Sequence, residues 1–374
     1  MHNMRRIMRG YIYQKTNWPL FAWDNERLLG LLAEVRHMQG RLLGRMEAIG
    51  FDLRDEATLS TLTMDVLKSS EIEGEVLQPE QVRSSIARKL GMDIVGLVPS
   101  DRNVDGVVEM LLDATQQYQK PLNTARLFAW HTSLYPKSKN TMYTIEVGQW
   151  RTDSTGPMQV VSGAMGKERV HFEAPAAKIL KAEMKQFIDW FNKEHSLDPV
   201  LKAAVAHLWF VTVHPFDDGN GRIARAVTDM LLARSDGSPQ RFYSMSAQIR
   251  VERKGYYDVL EKTQQGSLDI TDWLEWFLNC LKHALLATDA MLSEVLSKAT
   301  FWKKHSDTVF NERQKMMLNK LFNQFDGKLT TTKWAKIAKC SQDTALRDIQ
   351  DLMAKDVLAK EEAGGRSTGY VVKY

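Results

Sequence analysis

The stretch His214-Pro-Phe-Asp-Asp-Gly-Asn-Gly-Arg-Ile-Ala-Arg225 packs a titratable base, two carboxylates, a Gly-Asn-Gly turn and two arginines into twelve residues. Upstream, the run from Asp198 to Val213 opens with a capping Asp198 and with Pro199 at a first helical position, and it is apolar enough for a core helix. Downstream, Ile223 to Leu232 is apolar with helical period. The motif is therefore a loop between two helices plus the first turn of the second. A helix start leaves backbone N–H groups unpaired and carries partial positive charge, so it attracts anions. Gly219 and Gly221 remove side chains where a phosphate would approach the backbone, and Asn220 offers an amide between them. Arg222 and Arg225 are three apart and share a helical face, where both can hold phosphate oxygens. Asp218 suits Mg²⁺, which takes only one or two protein carboxylates when polyphosphate supplies other ligands. His214 can accept a proton from a hydroxyl near neutral pH.

These residues resemble the signature of the Fic family, H-x-F-x-[D/E]-G-N-G-R-x-x-R. His214, Phe216, Asp218, Gly219, Asn220, Gly221, Arg222 and Arg225 fill its fixed positions. The resemblance implies a mainly α fold: a Fic-type helical core with a small β-hairpin flap. It also implies transfer of AMP from ATP to a Ser, Thr or Tyr hydroxyl of a protein, possibly the chain itself. His214 would be the base, Asp218 the Mg²⁺ ligand, Gly219 to Arg222 with Ile223, Ala224 and Arg225 the nucleotide cradle, and Phe216 a core anchor.

Ser69-Ser-Glu-Ile-Glu-Gly74 follows a helical stretch, Thr58 to Leu67, and Gly74 can end that helix in a left-handed conformation. Glu73 then sits at a helix C-terminus, where the dipole disfavours a carboxylate, so it is either solvated or partnered. By resemblance, Ser69, Glu73 and Gly74 match the inhibitory motif [S/T]-x-x-x-E-[G/N] of Fic proteins. Glu73 would pair with Arg225 and block the γ-phosphate, or assist AMP removal. An earlier segment, Asn25 to Met38, is an amphipathic helix.

Residues 159–173 alternate and contain glycines, which predicts a β-hairpin. In the Fic fold such a flap pairs with the backbone of the target, a form of edge-strand addition. Tyr256 and Tyr257 could stack a nucleobase, and similarity to the family favours Tyr257.

From residue 300 onward the order is helix (Asn311 to Phe325), helix (Thr332 to Cys340), helix (Gln342 to Lys355, capped by Ser341), then strands Val357 to Lys360 and Gly369 to Lys373. This order resembles a winged-helix module, with the glycine-rich connection as wing. The module carries five surplus positive charges and the rest of the chain is nearly neutral. Yet its candidate recognition helix bears Asp343, Asp348 and Asp351, which suits a protein or second copy better than DNA.

The reading gives three parts: residues 1–100 with the inhibitory motif, 101–298 as catalytic core, and 299–374 as winged helix. With 374 residues and 44% apolar content the chain is ordinary for a multidomain globular protein. Cys280 and Cys340 are too few for a disulfide framework, which suits a cytoplasmic setting, and no run is long enough to span a bilayer. Two competing readings stay open: an ATP-sensing DNA-binding regulator, and a Fic enzyme with another phosphate-linked donor.

Overall fold

A computed structural model describes residues 10–48, 51–92, 96–136, 145–154, 156–163, 169–194, 196–322, 325, 327–361 and 369–373. The chain divides into two compact units, one ending at Thr288 and one starting at Asp289. The first opens with α1 (Asn25–Ala48), α2 (Phe51–Ile72), α3 (Pro79–Lys89), α4 (Arg102–Gln116) and α5 (Thr124–Leu134). An antiparallel pair, β1 (Gln159–Ser162) and β2 (Arg169–Glu173), follows, with a bulge between Val160 and Val161. Then come α6 (Ala177–Asn192), α7 (Pro199–Val213), α8 (Asn220–Asp236), α9 (Met245–Val251), α10 (Arg253–Gln264) and α11 (Thr271–Lys304), the last running across the division. Both α1 and α2 outrun the sequence reading. The glycines within α1, Gly40 and Gly44, meet no obstacle and do not break it.

The core of this unit is α7. Asp198 caps it by accepting from the Val200 N–H, Pro199 takes the first helical position, and every residue from Val200 to Val213 except Lys202 is buried. A helix apolar all round must be wrapped by others. Trp209 and Phe210 meet Phe187 of α6, and α8 lies along the other side with its Ile223, Val227, Met230 and Leu231 buried. So α7 ends, and α8 begins, inside a fixed scaffold.

The second unit has α12 (Glu312–Phe322), α13 (Thr331–Ile337) and α14 (Gln342–Ala354), followed by antiparallel β3 (Leu358–Lys360) and β4 (Tyr370–Val372). Leu329 adds a bridge to Tyr370. Trp334, Met317, Leu318, Ile349, Leu352 and Phe301 form its core. Ser341 caps α14 through the Thr344 N–H. The 362–368 connection, read as a wing, lies outside the described residues. Of the three acids on α14, Asp348 turns inward: it is 5% exposed and held by Arg313 at 2.8 Å. Among the described residues, no helix is long and apolar enough to cross a membrane.

Candidate active site

The loop between α7 and α8 is held in shape by buried polar contacts. His214 ends α7 with φ 52° and ψ 59°, the left-handed region that a residue with a Cβ enters at a cost of about 1 kcal/mol. Arg151 holds it there. Its side chain is fully buried, its Nε donates to the His214 carbonyl (2.7 Å), its Nη2 to the Pro175 carbonyl (2.5 Å) and its Nη1 to Asp153 (3.0 Å). Its own N–H donates to the Pro215 carbonyl. The imidazole Nδ1 lies 3.2 Å from the Val211 carbonyl, which can only accept, so Nδ1 carries the proton and Nε2 keeps its lone pair. Burial pushes the His214 pKa down to about 4, opposed by the Val211 contact and reinforced by Arg151, which leaves a neutral imidazole at pH 7.

Phe216 is the anchor expected of it: 0% exposed and stacked on His131 at 4.2 Å. The Gly148 N–H donates to His131 Nδ1, so Nε2–H of His131 donates to the Asp218 carbonyl (3.2 Å). Asn220 is more a brace than a ligand. Its Oδ1 accepts from the Phe216 N–H and its Nδ2 donates to the Phe216 carbonyl, at 2.9 and 2.7 Å. Asp217 accepts from the Glu146 N–H, which ties the loop to the segment before the hairpin. The Asp218 carboxylate, on an exposed residue, takes the Gly219 N–H. One outward carboxylate matches what Mg²⁺ requires beside polyphosphate oxygens. Among the described residues there is no cluster of three potential metal-ligating side chains.

The α8 N-terminus faces a carboxylate. Gly219 caps it in a left-handed conformation with no side-chain cap. Over this end lies Glu73, whose Oε1 is 2.8 Å from Arg225 Nη2. A Cβ at Gly221 would collide with that carboxylate and stand 3.2 Å from Arg225 Nη1. Glu73 thus has a partner, and its place at the disfavoured end of α2 is offset by the favoured start of α8. Ser69 supports it: its hydroxyl accepts from Arg225 Nε (2.8 Å) and its carbonyl from Nη2 (2.9 Å). Gly74 ends the segment at φ 87°. Glu75, which sequence reasoning missed, pairs with Arg222 Nη1 at 2.8 Å, and Arg222 Nη2 donates to the Tyr135 hydroxyl. Both motif arginines keep a buried nitrogen without a hydrogen-bond partner among the described residues: Nε of Arg222 and Nη1 of Arg225. Buried guanidinium nitrogens without partners mark a place for an anion.

Ile223 and Ala224, expected in the nucleotide cradle, bring no free group to it. Both are 0% exposed, and the Ile223 N–H already donates to the Gly219 carbonyl. The two tyrosines separate. Tyr256 is buried and donates to His207 Nε2 (2.8 Å), while His207 Nδ1 meets Thr228 (2.9 Å). Tyr257 is 39% exposed and stands near Arg253. His207 gave no signal in the sequence beyond being a histidine in an apolar helix. Arg151 had no local signal, because the carbonyls it holds are 24 and 63 residues away.

This is a helical domain with a helix start facing a carboxylate, close in sequence to a neutral imidazole. Residues 121–232 match the Fic/DOC family, and residues 11–92 match a domain of unknown function, DUF4172. Protein adenylyltransferase fic-1 of Caenorhabditis elegans is 29% identical over 263 residues, 66% of this chain and 48% of its own length. Protein adenylyltransferase Fic of Culex quinquefasciatus is 27% identical over 224 residues, 57% of this chain and 39% of its own length. The chain thus spans about half or less of these relatives. A crystal structure of a Fic family protein from Desulfovibrio desulfuricans shares the fold, with TM-score 0.52 and 20% identity over 92% of this chain and 95% of that one.

Proposed function

We propose that the protein transfers AMP from ATP to a Ser, Thr or Tyr hydroxyl of a protein, itself included. The acceptor oxygen attacks the α-phosphorus and the bond to the pyrophosphate oxygen breaks. The hydroxyl proton goes to His214 Nε2, and pyrophosphate leaves. The observation that carries the reading is the Val211 carbonyl 3.2 Å from His214 Nδ1, which assigns the proton to Nδ1 and leaves Nε2 to act as base, six residues before the α8 start. Arg222, Arg225 and the first N–H groups of α8 would hold the phosphates, so catalysis rests on positioning and charge stabilisation. Mg²⁺, when bound, supplies neutralisation of triphosphate charge, and Asp218 is the residue that would hold it. Tyr257, with its ring partly exposed, would line the base, and the target would dock on the hairpin.

In this reading the observed state is inhibited. Glu73 and Glu75 each pair with one of the arginines that triphosphate needs. The three-helix, two-strand unit at the C-terminal end we assign to a winged-helix role in protein docking or homodimer assembly rather than DNA binding, since Asp343 is outward on α14 and Asp351 is already paired with Lys355. The test is intact-mass analysis of Glu73→Gly after incubation with ATP and Mg²⁺. AMP adducts on it, their near absence on the parent and their loss on adding His214→Ala are expected. Adducts of another mass point to a different donor. No adduct on the chain or on an added unfolded protein removes the transferase reading and leaves the nucleotide-sensing regulator.

A further inference from the structure

The hairpin is fastened to the helix that carries the tyrosines. Tyr257 and Glu261 on α10 and Gln265 at its C-cap are four residues apart and share one face. From that face, Glu261 Oε1 accepts from Arg169 Nη2 (2.6 Å) and Oε2 meets His171 Nδ1 (2.7 Å). Gln265 donates to the His171 carbonyl (3.0 Å), which engages the side of β2 turned to α10. The chain continues across the hairpin, because His171 Nε2 lies 2.6 Å from the Ser162 hydroxyl of β1. Among the described residues, no hydrogen bond from an element other than β2 reaches β1. Val161 and Val170, paired across the strands, are 48% and 43% exposed. One edge is thus tied down and the other is open, with an apolar pair beside it.

We propose that Glu261 is a positioning residue for the transfer. It holds Arg169 and His171 so that the outer edge of β1 accepts an extended segment of the target in fixed register with His214. Pairing along an open edge orients a hydroxyl with little demand on sequence, and small misplacement of a reacting group lowers rate steeply. The inference rests on the reading of the hairpin as the target's dock. It makes α10 a single beam between nucleotide and acceptor.

Two measurements test it. In the Glu73→Gly background, AMP transfer to denatured casein, a source of extended hydroxyl-bearing segments, is followed against casein and against ATP concentration. Glu261→Ala is expected to lower kcat/KM for casein about ten-fold while the KM for ATP stays unchanged. Glu261→Gln, which keeps acceptor oxygen, should recover part of the loss. A parallel fall in both substrates, or no fall, overturns the proposal. Hydrogen exchange needs neither nucleotide nor acceptor: amides of residues 159–163 and 169–173 should exchange about ten-fold faster in Glu261→Ala. Unchanged exchange overturns the clamp even if transfer is seen. Faster exchange with no transfer in the parent keeps the clamp and removes only the transferase reading.

Discussion

At the scale of single residues, the site is a competition for two arginines. Glu73 lies against the α8 start and pairs with Arg225, which is 3% exposed and also held by Ser69, so its removal changes the site most. Glu75 makes a single ion pair, to Arg222, and its side chain, 36% exposed, leaves that pair partly screened by solvent. In the Glu73→Gly background, Glu75→Gln should therefore tighten ATP binding only about three- to ten-fold, on the order of 1 kcal/mol. Calorimetry with His214→Ala also present, which stops turnover, reads this directly; equal affinity with and without Glu75 would mean that Arg222 is not used by nucleotide. The base gives a second expectation. With its pKa near 4, His214 stays neutral from pH 8 to pH 5, so transfer by Glu73→Gly should be flat there and fall below it as Nε2 takes a proton. A limb centred near 6.5, the ordinary histidine value, would show that the base is a solvated imidazole or lies elsewhere. The motif residues were legible because their chemistry is local, twelve residues in a row with fixed spacing. Arg151 and Glu75 were not, since each acts on a residue far along the chain that only folding brings near.

At the scale of elements, regularity decided what could be read. The hairpin announced itself by alternation and glycines, α7 by its Asp-Pro start, and α8 by the motif that opens it. The bulge at Val160/Val161 was not visible, because alternation does not record an extra residue in one strand. The fastening of the hairpin by Glu261 was not visible either, for a glutamate on a charged helix reads as solvated. For α2 the ending matters most. Gly74 has φ 87° and open space where a Cβ would stand, so Gly74→Ala introduces backbone strain but no clash. The strain, about 1 kcal/mol, falls on the turn that aims Glu73 at Arg225. Gly74→Ala should lower the melting temperature by roughly 2–4 °C and raise AMP transfer, though less than Glu73→Gly does. If the variant melts lower but transfers no faster, the turn does not set the position of Glu73.

At the scale of the whole molecule, buried charge opposes itself in a way no sequence pattern discloses. Arg241 is 0% exposed and pairs with Asp229 at 3.2 Å, with Asp236 at 3.7 Å. Asp65 of α2 faces the same cluster, accepting from the Ser244 hydroxyl through Oδ1, while its Oδ2 has no partner among the described residues. Burial pushes the Asp65 pKa well above the carboxylate range, and the Asp229 charge adds to it. The folded chain then holds a proton that the unfolded chain releases above about 3.8. This contribution is complete at low pH and is lost as pH rises through neutrality. His207 works the other way. Burial pushes it down to about 3, so the unfolded chain takes a proton below about 6.5 that the folded one refuses, and stability falls as the solution is acidified. The two together place the stability maximum between these limbs. Asp65→Asn keeps the shape and an acceptor for Ser244 but removes the titrating proton. Its melting temperature should exceed the parent's at pH 8.5 by a few degrees, about 1 kcal/mol or more, and the gap should shrink steadily as pH falls toward 3.8, the unfolded value. Parallel profiles across that range would mean that Asp65 is ionised in the fold and that Arg241 satisfies all three carboxylates.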